Sequence, residues 1–283
     1  LQHIKVWNNF CEQDPPKEGQ QAFLNSFCET LLSIRDSGFK KEGAIPLFNG
    51  SPLNGAHRAA SCIALNKVPI VRQGVLAEGQ VRCNYRYFRD KLDFVDGGLC
   101  ETYLDEMALE YCRNKRNIFT LTLFPSHEVP IEHLSREVEK RYDVIYSKDI
   151  ELNETGKNNY IHNLYYNEPW IGSRHAGYPG VLEKSSYCFS HGNTIRVFLL
   201  QEDNIENLIK FKKMLRDACG VGKHSVHIND TQEETWRIAS SVFNENSIHM
   251  LNHRTWNHTP KFDLFLEQYS NALKGRDDWG DYC

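Results

Sequence analysis

The residues best suited to chemistry near the start of this 283-residue chain lie in a turn that combines glycine with cationic side chains. Asn54-Gly55-Ala56 leads into His57 and Arg58, and an apolar helical segment follows. A turn that opens a helix leaves backbone N–H groups free, and the helix dipole favours an anion there. Arg58 adds a planar charged donor and His57 a second donor. The pattern predicts a phosphate site at Asn54, Gly55, His57 and Arg58; the alternative is an ordinary turn whose His57 and Arg58 are solvated.

A second set of candidate residues lies in the C-terminal third. His227, Asn229 and Asp230 lie at the end of a short predicted strand, and Arg254 follows the last predicted strand. Ligands bind open α/β sheets beyond the carboxyl ends of the strands. We therefore expect Asn229 and Arg254 to bind ligand. A carboxylate or imidazole here can take a proton from an acceptor hydroxyl, and Asp230 and His227 are the candidates.

The middle of the chain, residues 151–192, is rich in aromatic residues, histidine and glycine. Long irregular segments of this composition carry binding surfaces in many proteins. The pattern predicts an active-site loop there, with Trp170, Arg174 and Lys184 as binding residues.

Regular elements flank these segments and predict an α/β fold in three regions. Residues 1–150 form a phosphate-binding region in which a helix precedes a strand, an Asn49-Gly50 turn and the Gly55 turn. Residues 151–192 form the aromatic region. In residues 193–283, strands at 194–200, 225–228 and 247–251 alternate with helices, which predicts a parallel βαβαβ half-sheet.

Residues 24–71 resemble the core of the ParB/sulfiredoxin-like superfamily. An amphipathic helix is followed by a hydrophobic strand and by Asn54-Gly55-Ala56-His57-Arg58, which is similar to the family's Asp-Gly-x-His-Arg loop. The resemblance implies a ParB/sulfiredoxin-like α+β N-terminal part and a loop that holds nucleotide phosphates; members include nucleotide-binding partition proteins and kinases. Asn54 stands where the family has an acid, which puts a metal- or base-dependent role of that position in doubt. The same loop also resembles, more weakly, segments of polysaccharide-assembly proteins.

Composition narrows the classes of partner. The net charge of −4 provides no basic field for nucleic acid, and no run approaches the ~20 apolar residues of a membrane span. The nine cysteines are scattered without a Cys-x-x-Cys pair, which favours reduced thiols and a cytoplasmic setting. Because the chain begins with Leu1, we expect it to be processed, trimmed or cut from a longer protein.

Metal and nucleotide motifs are weak. Gly220-Val-Gly-Lys-His-Ser225 departs from the P-loop in glycine spacing and precedes a strand. The sets Cys219/His224/His227 and His249/His253/His258 lack a convincing fourth ligand, so we predict no metal site and interpret these histidines as structural.

Three functions remain open. The first is a metal-free glycosyltransferase that moves a sugar from a nucleotide diphosphate sugar to a carbohydrate acceptor; His57, Arg58, Arg174 or Lys184 would stabilise the departing diphosphate. The second is a small-molecule kinase that uses a nucleoside triphosphate and Mg²⁺. The third is a non-enzymatic nucleotide- or DNA-binding module, against which the acidic balance counts. We expect the first.

Overall fold

The computed structural model describes residues 19–48, 51–75, 84–96 and 99–255. The chain forms two compact units, Leu1–Leu104 and Asp105–Cys283. The boundaries predicted at 150/151 and 192/193 do not coincide with this division, because strands from residues 118–123 and 144–151 share a sheet with strands from residues 194–201 and 226–228.

The first unit is built from short strands and helices. Its elements are α1 (Gly19–Ser37), β1 (Ile45–Phe48), β2 (Ser51–Pro52), α2 (Ala56–Ala64), β3 (Val71–Gln73) and α3 (Tyr85–Asp96). Strand β1 pairs antiparallel with β2 and parallel with β3, so α2 is the crossover between two parallel strands. The turn predicted at Asn49-Gly50 lies outside the described residues.

The second unit begins within α4, which spans the division between the units. Its elements are α4 (Leu99–Asn114), β4 (Ile118–Leu123), α5 (Ile131–Arg141), β5 (Val144–Glu151), α6 (Glu154–Tyr165), α7 (Pro179–Cys188), β6 (Thr194–Gln201), α8 (Ile205–Cys219), β7 (Val226–Ile228), α9 (Gln232–Val242) and α10 (Glu245–His253). Every residue of β4 is buried, which explains its continuous apolar and threonine sequence.

The sheet of the second unit is antiparallel, with strand order β5-β6-β4-β7. The parallel half-sheet predicted from the sequence is therefore wrong. Strands β6 and β7 do run in the same direction, but β4 lies between them and pairs with both. Apart from the helices inserted between β5 and β6, the order of elements is βαββαβ, the split-βαβ arrangement of ferredoxin-like folds. An α/β pattern fixes the direction of strands joined by a helix, but it does not reveal a strand inserted between them.

Residues 247–251, predicted as the last strand, belong to α10. The side chain of Asn244 accepts a hydrogen bond from the backbone N–H of Ser247 and caps this helix. The capping box that opens α9 consists of Thr231 and Glu234: Thr231 accepts from the N–H of Glu234, while the Glu234 carboxylate accepts from the N–H of Asp230.

The segment predicted as an active-site loop is mostly helical. Between β5 and β6 lie α6, two short 3₁₀ turns and α7. Asn153 caps α6 by accepting from the N–H of Gly156. Asn252 of α10 packs against the same turn and accepts from the N–H of Asn153 at 3.0 Å, and a Cβ at Gly156 would overlap its amide oxygen. These asparagine contacts clamp α10 onto the first turn of α6.

Strand β7 lies at one end of the strand order, and α8 satisfies carbonyl groups on it. Lys212 Nζ donates to the carbonyl of Ile228 at 2.7 Å, and Arg216 Nη2 donates to the carbonyl of Val226 at 2.9 Å. Both cations are therefore held by backbone groups.

Within the described residues, no helix is long and apolar enough to cross a bilayer. The described cysteines form no disulfide: Cys62, Cys100, Cys112, Cys188 and Cys219 are buried thiols, and Cys28 is exposed.

Candidate active site

The helical insertion between β5 and β6 brings Tyr165 to strand β7. Tyr165 ends α6, and its hydroxyl lies 3.1 Å from Nδ1 of His227, a buried residue of β7. The two rings meet edge to face with centroids 5.2 Å apart. On its other side Tyr165 meets Trp170, from the 3₁₀ turn Pro169–Ile171, at 5.1 Å. The contact between Tyr165 and His227 therefore connects the helical insertion to β7, the strand at one end of the sheet.

Lys184 of α7 enters the same cluster. Its Nζ lies 5.7 Å from the centre of the Tyr165 ring. It donates to the carbonyl of Lys223 at 2.6 Å and lies 3.3 Å from Nδ1 of His224. The residue is only 6% exposed and no carboxylate is among these contacts. We call Tyr165, Trp170, Lys184, His224 and His227 the Tyr165 cluster.

Burial shifts the pKa values of the ionisable side chains in the cluster in the direction that favours their neutral forms. Desolvation lowers the pKa of Lys184 from 10.5 to about 8, and it lowers the pKa of His227 from 6.5 to about 3. Desolvation also lowers the pKa of His224, with a further contribution from the charge of Lys184, and it raises the pKa of Tyr165. At neutral pH His227 is thus uncharged, whereas Lys184 carries a poorly solvated positive charge. Such a charge attracts an anion strongly, because the surroundings screen it weakly.

The cluster borders the surface through its aromatic residues. Trp170 is 45% exposed, and Tyr187, one turn beyond Lys184 on α7, is 53% exposed and contacts the ring of His224 with centroids 4.8 Å apart. Exposed aromatic faces next to a buried cation suit a ligand with one flat or apolar part and one anionic part.

Three residues predicted from the sequence, His227, Trp170 and Lys184, therefore converge on Tyr165. Tyr165 was not predicted as a site residue, and His224 was named only in a weak metal set and interpreted as structural. A signal was available for both: Tyr165 lies in the aromatic segment, and His224 precedes His227 by three residues after a lysine. Tyr165 and His224 join the cluster through contacts among α6, α7 and β7, and these elements are far apart in the sequence.

Asn229 and Asp230 are adjacent to β7 but have other contacts. The Asn229 amide is 1% exposed and has four hydrogen bonds: it accepts from the N–H and hydroxyl of Thr120, and it donates to the carbonyl of Thr231 and the hydroxyl of Thr235. This set occupies the amide and favours a structural role. The Asp230 carboxylate is largely exposed and lies 3.9 Å from Nζ of Lys212. The ligand and catalytic roles of both residues stay predictions.

Arg174 and Arg254 lie on the surface. Arg174 belongs to the 3₁₀ turn Arg174–Ala176. Arg254 follows α10, and its carbonyl accepts from the side chain of Asn159 at 2.7 Å. Burial lowers the pKa of His162, and the charges of Arg254 and Arg237 add to that shift. The predicted binding role of either arginine is not tested by these contacts.

The loop of the first unit has the backbone expected of a tight turn before a helix. Gly55 has φ of 92°, a left-handed value that favours glycine, and it precedes α2 without a side-chain cap. Arg58 folds back over this turn and donates through Nη1 to the carbonyl of Gly43 at 2.5 Å. His57 is half-buried, with its ring edge to face with Phe27 at 5.7 Å, and Asn54 accepts from the N–H of Gly55. Arg58 thus supports the loop with one of its five N–H donors, and its predicted binding of phosphate stays a prediction.

Among the residues that the structure describes, no group of three or more His, Cys, Asp or Glu side chains is arranged to hold a metal ion. The metal-free chemistry expected from the sequence remains a prediction.

Comparisons with known proteins yield little. No protein-family model and no curated protein matches the chain. Among solved structures, the chain is similar to a nucleoside diphosphate kinase from Aquifex aeolicus, at 14% sequence identity over 46% of this chain and 97% of that chain, with a TM-score of 0.33. A similarity at this TM-score supports no inference about fold or function.

Proposed function

We propose that the protein is a transferase that uses a nucleotide-activated donor, with glycosyl transfer from a nucleotide diphosphate sugar as its reaction. The observation that carries the proposal is the Tyr165 cluster, in which a buried lysine lies beside exposed aromatic rings and has no carboxylate partner among the described residues. The donor's base or sugar would stack on Trp170 or Tyr187, and its diphosphate would approach Lys184.

The proposed role of Lys184 is to stabilise the leaving group. In glycosyl transfer the acceptor oxygen attacks the anomeric carbon, the bond from that carbon to the phosphate oxygen breaks, and negative charge grows on the departing diphosphate. A preorganised cation in a site of low dielectric stabilises that charge more than water does. Because burial lowers the pKa of Lys184 to about 8, the lysine keeps its proton at neutral pH and gains most from an anion.

Tyr165 and His227 would position the donor rather than exchange protons. A pKa of about 3 makes His227 a weak base, and its Nδ1 faces the Tyr165 hydroxyl. The proton of the acceptor hydroxyl would therefore pass to another group, and the exposed carboxylate of Asp230 remains the candidate in this unit.

For the first unit we propose a ParB/sulfiredoxin-like phosphate loop. The parallel pair β1 and β3 joined by α2, the left-handed Gly55 and the uncapped start of α2 support it. Asn54, Gly55, His57 and Arg58 would hold phosphate through backbone N–H groups and the remaining donors of Arg58.

The test measures donor use in EDTA. The full chain is incubated with nucleotide sugars, without nucleoside triphosphate, and release of nucleoside diphosphate is followed. We expect slow hydrolysis or transfer that survives EDTA, falls in Lys184→Met and persists in the control Lys213→Met, an exposed lysine on α8. Arg58→Ala should weaken nucleotide affinity by about 1.5–3 kcal/mol, the range for a charge-assisted hydrogen bond.

Other outcomes select the alternatives. Consumption of a nucleoside triphosphate only with Mg²⁺, with no response to any nucleotide sugar, would replace this proposal by the kinase. Binding of nucleotide without turnover of either donor class would leave a nucleotide-binding module.

A further inference from the structure

Two histidines of α10 lie one turn apart on the protein surface. His249 and His253 are both exposed, and their rings stack with centroids 4.1 Å apart and an interplanar angle of 20°. His253 Nδ1 lies 2.8 Å from the backbone carbonyl of His249. The structural role expected for these histidines from the sequence is therefore not supported by burial, since neither ring fills a core.

The spacing of the two histidines, and the ring nitrogens that the carbonyl contact does not occupy, suit metal chelation. Two histidines at positions i and i+4 of a helix present their rings on one face, as in helical zinc sites. The contact with the carbonyl occupies Nδ1 of His253, so Nε2 is the nitrogen of this ring that remains for an ion. Both side chains are exposed, so the stacked rings have room to rotate, and chelation requires a rotation that brings one nitrogen of each ring to about 2.0–2.1 Å from a single ion.

We propose that His249 and His253 form a two-histidine site for a divalent late transition metal, which staples the last turn of α10. Water completes the coordination, so the site is a chelating pair and not a closed structural centre. The helix lacks a glutamate directly after His249, so it does not carry the base of a zinc peptidase.

Because of where the two histidines lie, a bound metal would affect the contact between α10 and α6. Between the two histidines lie Leu251, whose carbonyl accepts from the Asn159 side chain at 2.7 Å, and Asn252, which holds the first turn of α6. A metal that bridges His249 and His253 resists fraying of this turn. It therefore strengthens the clamp between α10 and α6, since binding to the folded state alone stabilises that state.

The test uses the full chain, freed of metal, and the chloride salts of Cu²⁺, Ni²⁺ and Zn²⁺ as probes. Calorimetric titration should detect a site that follows the order of divalent ions, with Cu²⁺ bound most tightly. His249→Ala and His253→Ala should each lose more than about tenfold in affinity at this site, since even the loss of a group that only supports a metal ligand costs that much. His133→Ala, an exposed histidine of α5, is the matched control and should bind as the unchanged protein does. Because all three side chains are exposed, the variants are expected to fold.

Hydrogen exchange gives a second readout. Zn²⁺ should slow exchange of amides in residues 249–254 and at the start of α6 in the unchanged protein, but not in His249→Ala. Equal metal affinity in the unchanged protein and both α10 variants would overturn the proposal. If the α10 variants lose metal binding but Zn²⁺ does not slow hydrogen exchange in the unchanged protein, the chelating pair stands and the proposed stabilisation of α10 is overturned. The proposal is independent of transferase activity, which is expected to survive EDTA.

Discussion

Lys184→Met separates the charge of the buried lysine from its bulk. Methionine keeps an unbranched apolar side chain but removes the ammonium group. A pKa lowered from 10.5 to about 8 means that the folded protein disfavours the charged lysine by up to about 3 kcal/mol, and residual solvent screening reduces this to about 2 kcal/mol. The substitution also leaves the carbonyl of Lys223 without its donor, at a cost of about 1 kcal/mol. At pH 7 we therefore expect Lys184→Met to be more stable than the unchanged protein by about 1 kcal/mol, the difference of these estimates.

The pH dependence gives this prediction its sign. Below pH 8 the lysine is protonated in both the folded and the unfolded protein, so the penalty is constant. Between about pH 8 and 10.5 the unfolded chain binds more protons than the folded one, so the stability of the unchanged protein rises with pH, by up to roughly 1.4 kcal/mol per unit. The variant lacks this rise, and its advantage should shrink and then reverse.

Urea denaturation of both proteins between pH 7 and 9.5 measures the difference, with Lys213→Met as the exposed control. That control should change stability little at any pH. If Lys184→Met is less stable by the same amount throughout the range, Lys184 is not a desolvated cation, and its proposed role towards an anionic leaving group fails with it.

Three further substitutions test contacts described above, each by urea denaturation. Gly156→Ala should cost about 1–3 kcal/mol, because the added methyl group displaces the Asn252 side chain; unchanged stability would mean that the clamp does not form. Asn229→Ala should cost about 3 kcal/mol or more, because its buried partners lose their hydrogen bonds, whereas a loss below about 1 kcal/mol with weaker ligand binding would return Asn229 to the binding site. Gly55→Ala should destabilise the first unit by about 1–2 kcal/mol, because φ is 92° and the new Cβ would lie 2.9 Å from Nη2 of Arg58. A variant as stable as the unchanged protein would show that residue 55 does not need glycine in this turn.

The sequence predicted most of the local structure near the sites and little of its arrangement. The strand after residue 193, the helix that follows it and the strand at 226–228 are present. Their helical and alternating patterns depend on neighbours within a few residues. The pairing of β4 between β6 and β7 depends on residues about 70–110 positions apart, and no local pattern encodes it.

In the candidate site too, local features were predictable from the sequence, whereas the contacts between distant residues were not. Lys184 and Trp170 were identified by residue type, because lysine and tryptophan among glycines stand out in a sequence, and His227 was identified by its position at the end of a predicted strand. Tyr165 was not, since a tyrosine at the end of an amphipathic helix resembles any core residue. The helical form of residues 247–251 was missed because a segment of five residues with polar and apolar side chains in near alternation suits a strand as well as a short helix. The cap at Asn244 favours the helix.

The attachment of α8 to β7 has a consequence for the protein in crowded solution. A strand at the margin of a sheet can recruit an extended segment from another chain, and such recruitment begins many aggregation processes. In β7 the carbonyls of Val226 and Ile228 already accept from Arg216 and Lys212. An incoming strand would have to displace two cationic side chains of the same molecule before it could register. These residues therefore protect the protein against self-association through β7, whatever ligand the neighbouring Tyr165 cluster holds.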